Sequence, residues 1–290
     1  MDNLAYATAQ EGAAPQATQA ASYVPVLHAP RHRQHSRLGV SGRRLALLSF
    51  VAALLALVVI VATGLAAAPQ SSLADFAQKS LGPSWEHPFG TDRMGRDMFA
   101  RTLAGLSTSV LVGLLAAGAS SLIALVLGTA AALGGKRVDA VVTWLIDLMM
   151  GVPHIVLLIL ISYALGKGFW GVTIGVAVTH WPSLTRVVRA EVLQCRESGF
   201  VAVAGKLGVD RASIALRHVL PYVLPQYLVG LILLFPHAIL HEAAITFLGF
   251  GLSPDEPAVG VILSESMQYL SAGYWWLAAL PGASLLAVVL

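Results

Sequence analysis

The sequence predicts an all-α, polytopic membrane protein with about six transmembrane helices. Of its 290 residues 57% are hydrophobic and only 11% are charged, whereas a soluble domain carries about a quarter charged residues. Apolar runs long enough to cross a bilayer recur along the chain, and Lys and Arg gather in the links between them. The net charge is +3, but the basic residues are clustered rather than spread, so a nucleic-acid surface is a poor explanation and the clustering reads as membrane topology. The single cysteine, Cys195, excludes an internal disulfide and a cysteine metal cluster; it reads as a small buried thiol.

Residues 1–43 are rich in Ala, Gln, Ser, Pro and His and end in a basic stretch, a composition too polar and unpatterned to bury a core. They are expected to form a disordered cytoplasmic tail, with His28, His32 and His35 as part of a solvated basic segment. Residues 44–68 are expected to be the first transmembrane helix, because Leu45 to Ala68 is uncharged for 24 residues and about 20 suffice to span. A secretory signal core is only about 7–15 residues long and begins closer to the N-terminus, so the run reads as a retained span. Residues 69–102 are expected to form an extracytoplasmic segment, and residues 103–290 the main transmembrane domain.

Within that domain the spans are expected at Leu103–Leu133, Val138–Leu165, Phe169–Thr185, Tyr222–Gly249 and Tyr274–Leu290. The last run has no closing charge, so the sequence is expected to break off within the membrane. Orientation follows from the basic residues, since short cytoplasmic loops retain Lys and Arg. Arg31, Arg33, Arg37, Arg43 and Arg44 precede the first span, Lys136 and Arg137 follow the second, and Arg186, Arg189, Arg196, Lys206, Arg211 and Arg217 follow the fourth. Alternating crossings put all three groups, and the N-terminus, on the cytoplasmic side. Arg93, Arg96 and Arg101 fall on the far side and weaken the pattern; with Asp92 and Asp97 they are expected to hold their own loop together. Tyr269, Tyr274, Trp275 and Trp276 lie where the sixth span enters, as an interfacial aromatic belt would.

The link at residues 190–221 contains "VAVAGKLGVDRASIALRHVLP". Its apolar positions Val201, Val203, Leu207, Ile214, Leu216 and Val219, interrupted by Gly205 and Gly208, predict two short helices meeting at a glycine turn. Leu220 and Pro221 are expected to stop the second. Such a pair has a partly apolar face with nothing of its own to cover it; a partner groove and lipid headgroups are both open readings.

The spacing of Gly208, nine residues, His218, one residue, Leu220 and Pro221 resembles the coupling-loop motif of ABC importer permeases, EAA, three residues, G, nine residues, I, one residue, LP. The EAA positions are Ala202, Val203 and Ala204, so the usual glutamate is missing, and Glu197 or Asp210 is the candidate to replace it. "HPFGTDRMGRDMFAR", "GGKRVDAVVTWLIDLMMGVP" and "FLGFGLSPDEPAVGVIL" resemble further segments of the dipeptide, oligopeptide and nickel branch, with Val259 in the usual tryptophan position. The resemblance implies a type I ABC importer permease fold in the inner (plasma) membrane. It implies a second permease subunit, usually in a heterodimer, two ATP-binding subunits and an extracytoplasmic solute-binding protein. Membrane lipid is the surrounding partner and no nucleic acid is expected. ATPase coupling would fall to Ala202, Ala204, Gly208, Asp210, Arg217, His218, Leu220 and Pro221. No phosphate-binding G-x-x-x-x-G-K-[ST] loop occurs, so no cofactor is expected on this chain; ATP and Mg belong to the partner subunits.

For substrate, the fifth span places His237 and His241 four residues apart on one helix face, with Glu242 adjacent. Polar groups inside a span are functional candidates. Two imidazoles so spaced can bind a divalent metal, or can hydrogen-bond neighbouring helices. The order H-x-x-x-H-E misplaces the base of zinc proteases, so an intramembrane metalloenzyme is disfavoured, and a passive channel would need no ATPase dock. Asp147 and His154 in the third span are further candidates for the path, Asp147 alternatively pairing helices. His180 reads as a packed bundle histidine. The nickel importer's permease is similar to "HAILHEAAITFLGFG" and "THWPSLTRVVR", which implies nickel or metal-chelate import, with di- or oligopeptide import as the alternative.

Overall fold

The computed structural model describes residues 42–198, 203 and 207–290. The chain divides into Met1–Ala46, of which the described part is the first turn of a helix, and Leu47–Leu290, which holds the remaining described elements. Each expected apolar run is helical. The first is α1, Gly42–Ser71, and the second is α2, Met98–Leu133. At 36 residues α2 is about 54 Å long, well beyond the ~30 Å hydrocarbon layer, and its N-terminus is capped by Asp97, whose carboxylate accepts from the Ala100 amide at 2.7 Å.

The third run is broken. Instead of one helix over Val138–Leu165, α3 covers Lys136–Met150 and α4 covers His154–Ala164, with a bend of 92° between them. Pro153 supplies the cause: it lacks an N–H, and it disfavours helical geometry at the residue before it. The fourth run, α5 (Gly168–Arg196), continues past its expected end at Thr185. Val188, Val192 and Cys195 keep an apolar stripe buried beyond that point, and the basic residues expected in the link are tied down instead. Arg189 forms a two-pronged bond to Asp139 on α3, at 2.5 and 2.6 Å. Arg186 bonds Asp147 at 2.9 Å, and Arg196 donates to the Ala132 carbonyl at the end of α2 at 3.0 Å, where a cation suits the helix dipole.

After the link, α6 is a single turn, Arg211–Ile214. It runs through a wider π turn, Ala215–Val219, directly into α7, Leu220–Phe247. Leu220 and Pro221 therefore do not stop a helix. In the π turn Leu220 N–H bonds the Ala215 carbonyl, five residues back, and this register change absorbs a proline that cannot donate. A helix not anticipated from sequence, α8 (Val259–Met267), precedes α9 (Trp276–Val289). Among the described residues α1, α2 and α7 are long and apolar enough to cross a membrane alone, and the bent α3–α4 pair passes as a fourth span.

Helix α2 is the axis against which α5 and α7 pack. Small residues permit close approach, as in other membrane bundles: a Cβ added at Gly128 on α2 would lie 2.8 Å from the Val188 Cβ and 2.9 Å from the Thr185 carbonyl oxygen of α5. The segment between α1 and α2 is anchored by charge. Asp92, almost fully buried, accepts from the amides of Met94 and Arg96 and from the Arg96 and Arg101 guanidiniums. Both arginines also reach Glu265 on α8, at 3.2 and 3.0 Å.

Removing one partner of a buried ion cluster leaves the others uncompensated. Asp92→Ala is expected to cost about 3–5 kcal/mol, whereas Asp147→Ala, whose pair with Arg186 is exposed, should cost at most ~1 kcal/mol. Thermal unfolding of the detergent-solubilised protein measures both; equal shifts would contradict this picture.

Candidate functional site

The bend between α3 and α4 leaves a space that a straight helix would fill. A cavity of about 790 Å³ opens there, walled by the Met149–His154 break, by Thr179–Val187 of α5 and by Gly230–His241 of α7. Among the described residues its ionisable lining is His154, His180, His237 and His241, with no carboxylate.

Three of these histidines meet. His154 opens α4, His180 sits in the middle of α5 and His241 lies in the last third of α7. Their ring centroids are 4.5, 4.7 and 4.8 Å apart, each pair nearly perpendicular. One nitrogen from each lies within 4.8 Å of the others. Backbone carbonyls one turn back hold two of the rings: His180 Nδ1 bonds the Val176 oxygen at 2.9 Å, and His241 Nδ1 bonds the His237 oxygen at 2.8 Å. A carbonyl only accepts, so each Nδ1 carries the proton and each Nε2 keeps its lone pair. His154 Nε2 is buried and has no hydrogen-bond partner among the described residues.

Of the expected metal pair, His237 and His241, only His241 belongs to the three-histidine group. His237 lines the cavity but its Nδ1 bonds the Leu233 carbonyl at 2.8 Å, and it stands outside the cluster. Glu242 does not line the cavity: one residue beyond His241 is about 100° further round the helix, and it is fully buried with Oε1 accepting from Thr246 at 3.0 Å. Asp147 is likewise not on the cavity wall; it pairs with Arg186 at the surface. His180 joins the cluster rather than simply packing. It lies 26 residues from His154 and 61 from His241, so no local spacing could reveal the grouping; the available signal was an imidazole in an apolar run.

The second candidate site is the link between α5 and α7. Ala202 and Ala204 lie outside the described residues. Gly208 has φ +82°, the left-handed geometry that glycine adopts without strain, and Asp210 turns the chain into α6 by accepting from the Ser213 amide at 2.9 Å. Val203, Leu207 and Val209 are exposed, while Val219, a few residues on, is buried among α2, α3 and α5 side chains. Arg217 is exposed, His218 and Leu220 are half-buried, and Pro221 is exposed on the first turn of α7. One end of the link thus offers an uncovered apolar surface, and the other is rigidly continuous with α7.

Residues 120–290 match the model of the family described as the binding-protein-dependent transport system inner membrane component. The chain belongs to that family. It is the permease subunit of an ABC importer of the dipeptide/oligopeptide group, a multi-pass inner-membrane protein and not an enzyme. A Brucella suis protein named as a peptide permease is 36% identical over 74% of this chain and 72% of its own length. Another Brucella suis protein, named as part of a peptide transport system, is 37% identical over 70% of this chain and 68% of its own. The dipeptide transport system permease protein of Bacillus subtilis is 32% identical over 69% of this chain and 62% of its own length. For the permease, membership implies ATPase subunits and a solute-binding protein as partners.

A β-branched side chain at φ +82° is strained by about 1–3 kcal/mol. Gly208→Val is therefore expected to reshape the link and reduce uptake severely while membrane insertion, read by fractionation, is unchanged. Wild-type uptake in that variant would remove the link from the mechanism.

Proposed function

We propose that this permease forms half of the path of an ATP-driven importer of di- or oligopeptides, beside a second, non-identical permease subunit. What carries the reading is the likeness to proteins named as peptide permeases, at 32–37% identity over most of the chain. The cavity supports it: about 790 Å³ lies within the range of pockets that enclose small organic ligands, and a mostly apolar wall suits varied side chains. The α5–α7 link faces the cytoplasm with the N-terminal tail, and the ATPase subunits grip it at its exposed apolar residues. Gly208 and Asp210 shape the grip, with Arg217 and His218 at its edge. Because the link runs without a break into α7, a pull on it moves the helix that carries His237 and His241. Closing of the ATP-loaded subunits then exchanges inward-open and outward-open states, and the solute-binding protein delivers cargo from the opposite side.

The second reading, import of nickel or a metal chelate, is favoured by one observation: three imidazoles converge on the cavity. Competition uptake in cells separates the two. Excess unlabelled dipeptide is expected to suppress permease-dependent uptake of a labelled dipeptide by at least tenfold. Permease-dependent accumulation of labelled nickel without dipeptide uptake would overturn the peptide reading in favour of the second.

A further inference from the structure

We infer that His154, His180 and His241 form a binding site for a late first-row divalent cation, of which nickel, copper and zinc are the ions imidazole suits. The inference deepens the importer reading, since it rests on the cavity being part of the translocation path.

The argument begins with ligand type. Three neutral imidazoles from three helices point one nitrogen each at a common region, all within 4.8 Å of one another. Bonds of about 2.0–2.1 Å to one ion require nitrogens roughly 3.4 Å apart in tetrahedral geometry. The three ligand nitrogens lie within 4.8 Å of one another, so the remaining difference asks for ring movements of about 1 Å, within the breadth of the histidine χ2 well.

The surroundings match what ligating histidines usually have. Such a residue nearly always donates its other ring N–H to a carbonyl or carboxylate, which fixes tautomer and orientation. His180 and His241 do so through Val176 and His237, which leaves the lone pair of each ring on Nε2. His154 supplies the third lone pair. Its buried Nε2 has no partner among the described residues, and an unmet polar atom in such a place is costly unless a ligand meets it. His237 serves as the internal control, because it shares the cavity but not the cluster.

The absence of a carboxylate from the lining among the described residues fits passage rather than storage. With three neutral ligands the ion keeps its charge, and a transport site must hold its cargo weakly enough to release it. Three protein ligands also leave a coordination position open, which donors of a peptide or chelator can fill from the cavity.

Titration of nickel chloride into the full-length permease, purified with its partner subunits in lipid nanodiscs, tests the site. Wild type and His180→Ala are expected to differ by one bound ion per chain, or by at least tenfold in its affinity, and His241→Ala should behave like His180→Ala. Tail histidines contribute equally to every variant and cancel. His237→Ala should bind as wild type does, and X-ray absorption of the loaded wild type should show imidazole scattering that is diminished in His180→Ala. His180→Asn keeps a polar side chain of similar reach and guards against misfolding; assembly with the partners checks each variant. Equal stoichiometry and affinity in wild type, His180→Ala and His180→Asn would overturn the site, as would an equal loss in His237→Ala. Nickel binding without dipeptide uptake would overturn the peptide reading and leave the site standing; dipeptide uptake with no histidine-dependent binding would overturn the site alone.

Discussion

In hydrocarbon no water is at hand for a polar group, so each one must find a partner inside the protein, and this constraint organises the permease from backbone to cavity. Hydroxyls turn back onto their own helices: Thr102, Thr173, Thr179, Thr185 and Ser266 each donate to the carbonyl four residues earlier. The histidines follow the same rule, with His180, His237 and His241 each bonding the carbonyl one turn back. That local bond uses only one ring nitrogen. The other is left facing whatever lies beside the helix, and three helices together turn this leftover valence into a cluster.

The cluster exists because one span is broken. Pro153 ends α3 and starts α4 at 92° to it, which brings His154 across to α5 and α7 and hollows out the space between them. Beside the cavity, the cationic end of α5 is stitched to α3 by Arg186 and Arg189. The same helix therefore carries part of the cavity wall and a clasp holding the bend. The π turn at Ala215–Val219 joins the link to α7 without a hinge. The link and α7 thus share one unbroken run of helical backbone.

Much of this was legible in the sequence, and what was not has identifiable causes. Uncharged runs mark α1, α2 and α7 because apolar length is a one-dimensional property. The glycine turn at Gly208 was legible for a similar reason, since it depends on local backbone chemistry. The extension of α5 to Arg196 was not, because arginines that look like loop residues are neutralised by Asp139 and Asp147 from another helix. Pro221 misled in the opposite direction: a proline normally ends a helix, but a change of hydrogen-bond register let this one continue. The breaking signal in Gly151, Val152 and Pro153 lies inside an apolar run whose length alone suits a single span. The cluster itself is a tertiary event, and the i, i+4 pair His237 and His241, which local spacing favours, is replaced by a set drawn from three helices.

Closure of the ATPases should change the side to which the cavity between the α3–α4 break, α5 and α7 opens. Ser183 is exposed on the cavity wall, and the only native thiol, Cys195, is buried, so Ser183→Cys reports on that space against a low background. In proteoliposomes holding the whole importer, a membrane-impermeant maleimide should label Ser183→Cys from one side in the resting state and from the other when ATP is trapped on the partner subunits. Labelling from one side only, at the same rate with and without trapped nucleotide, would contradict the claim.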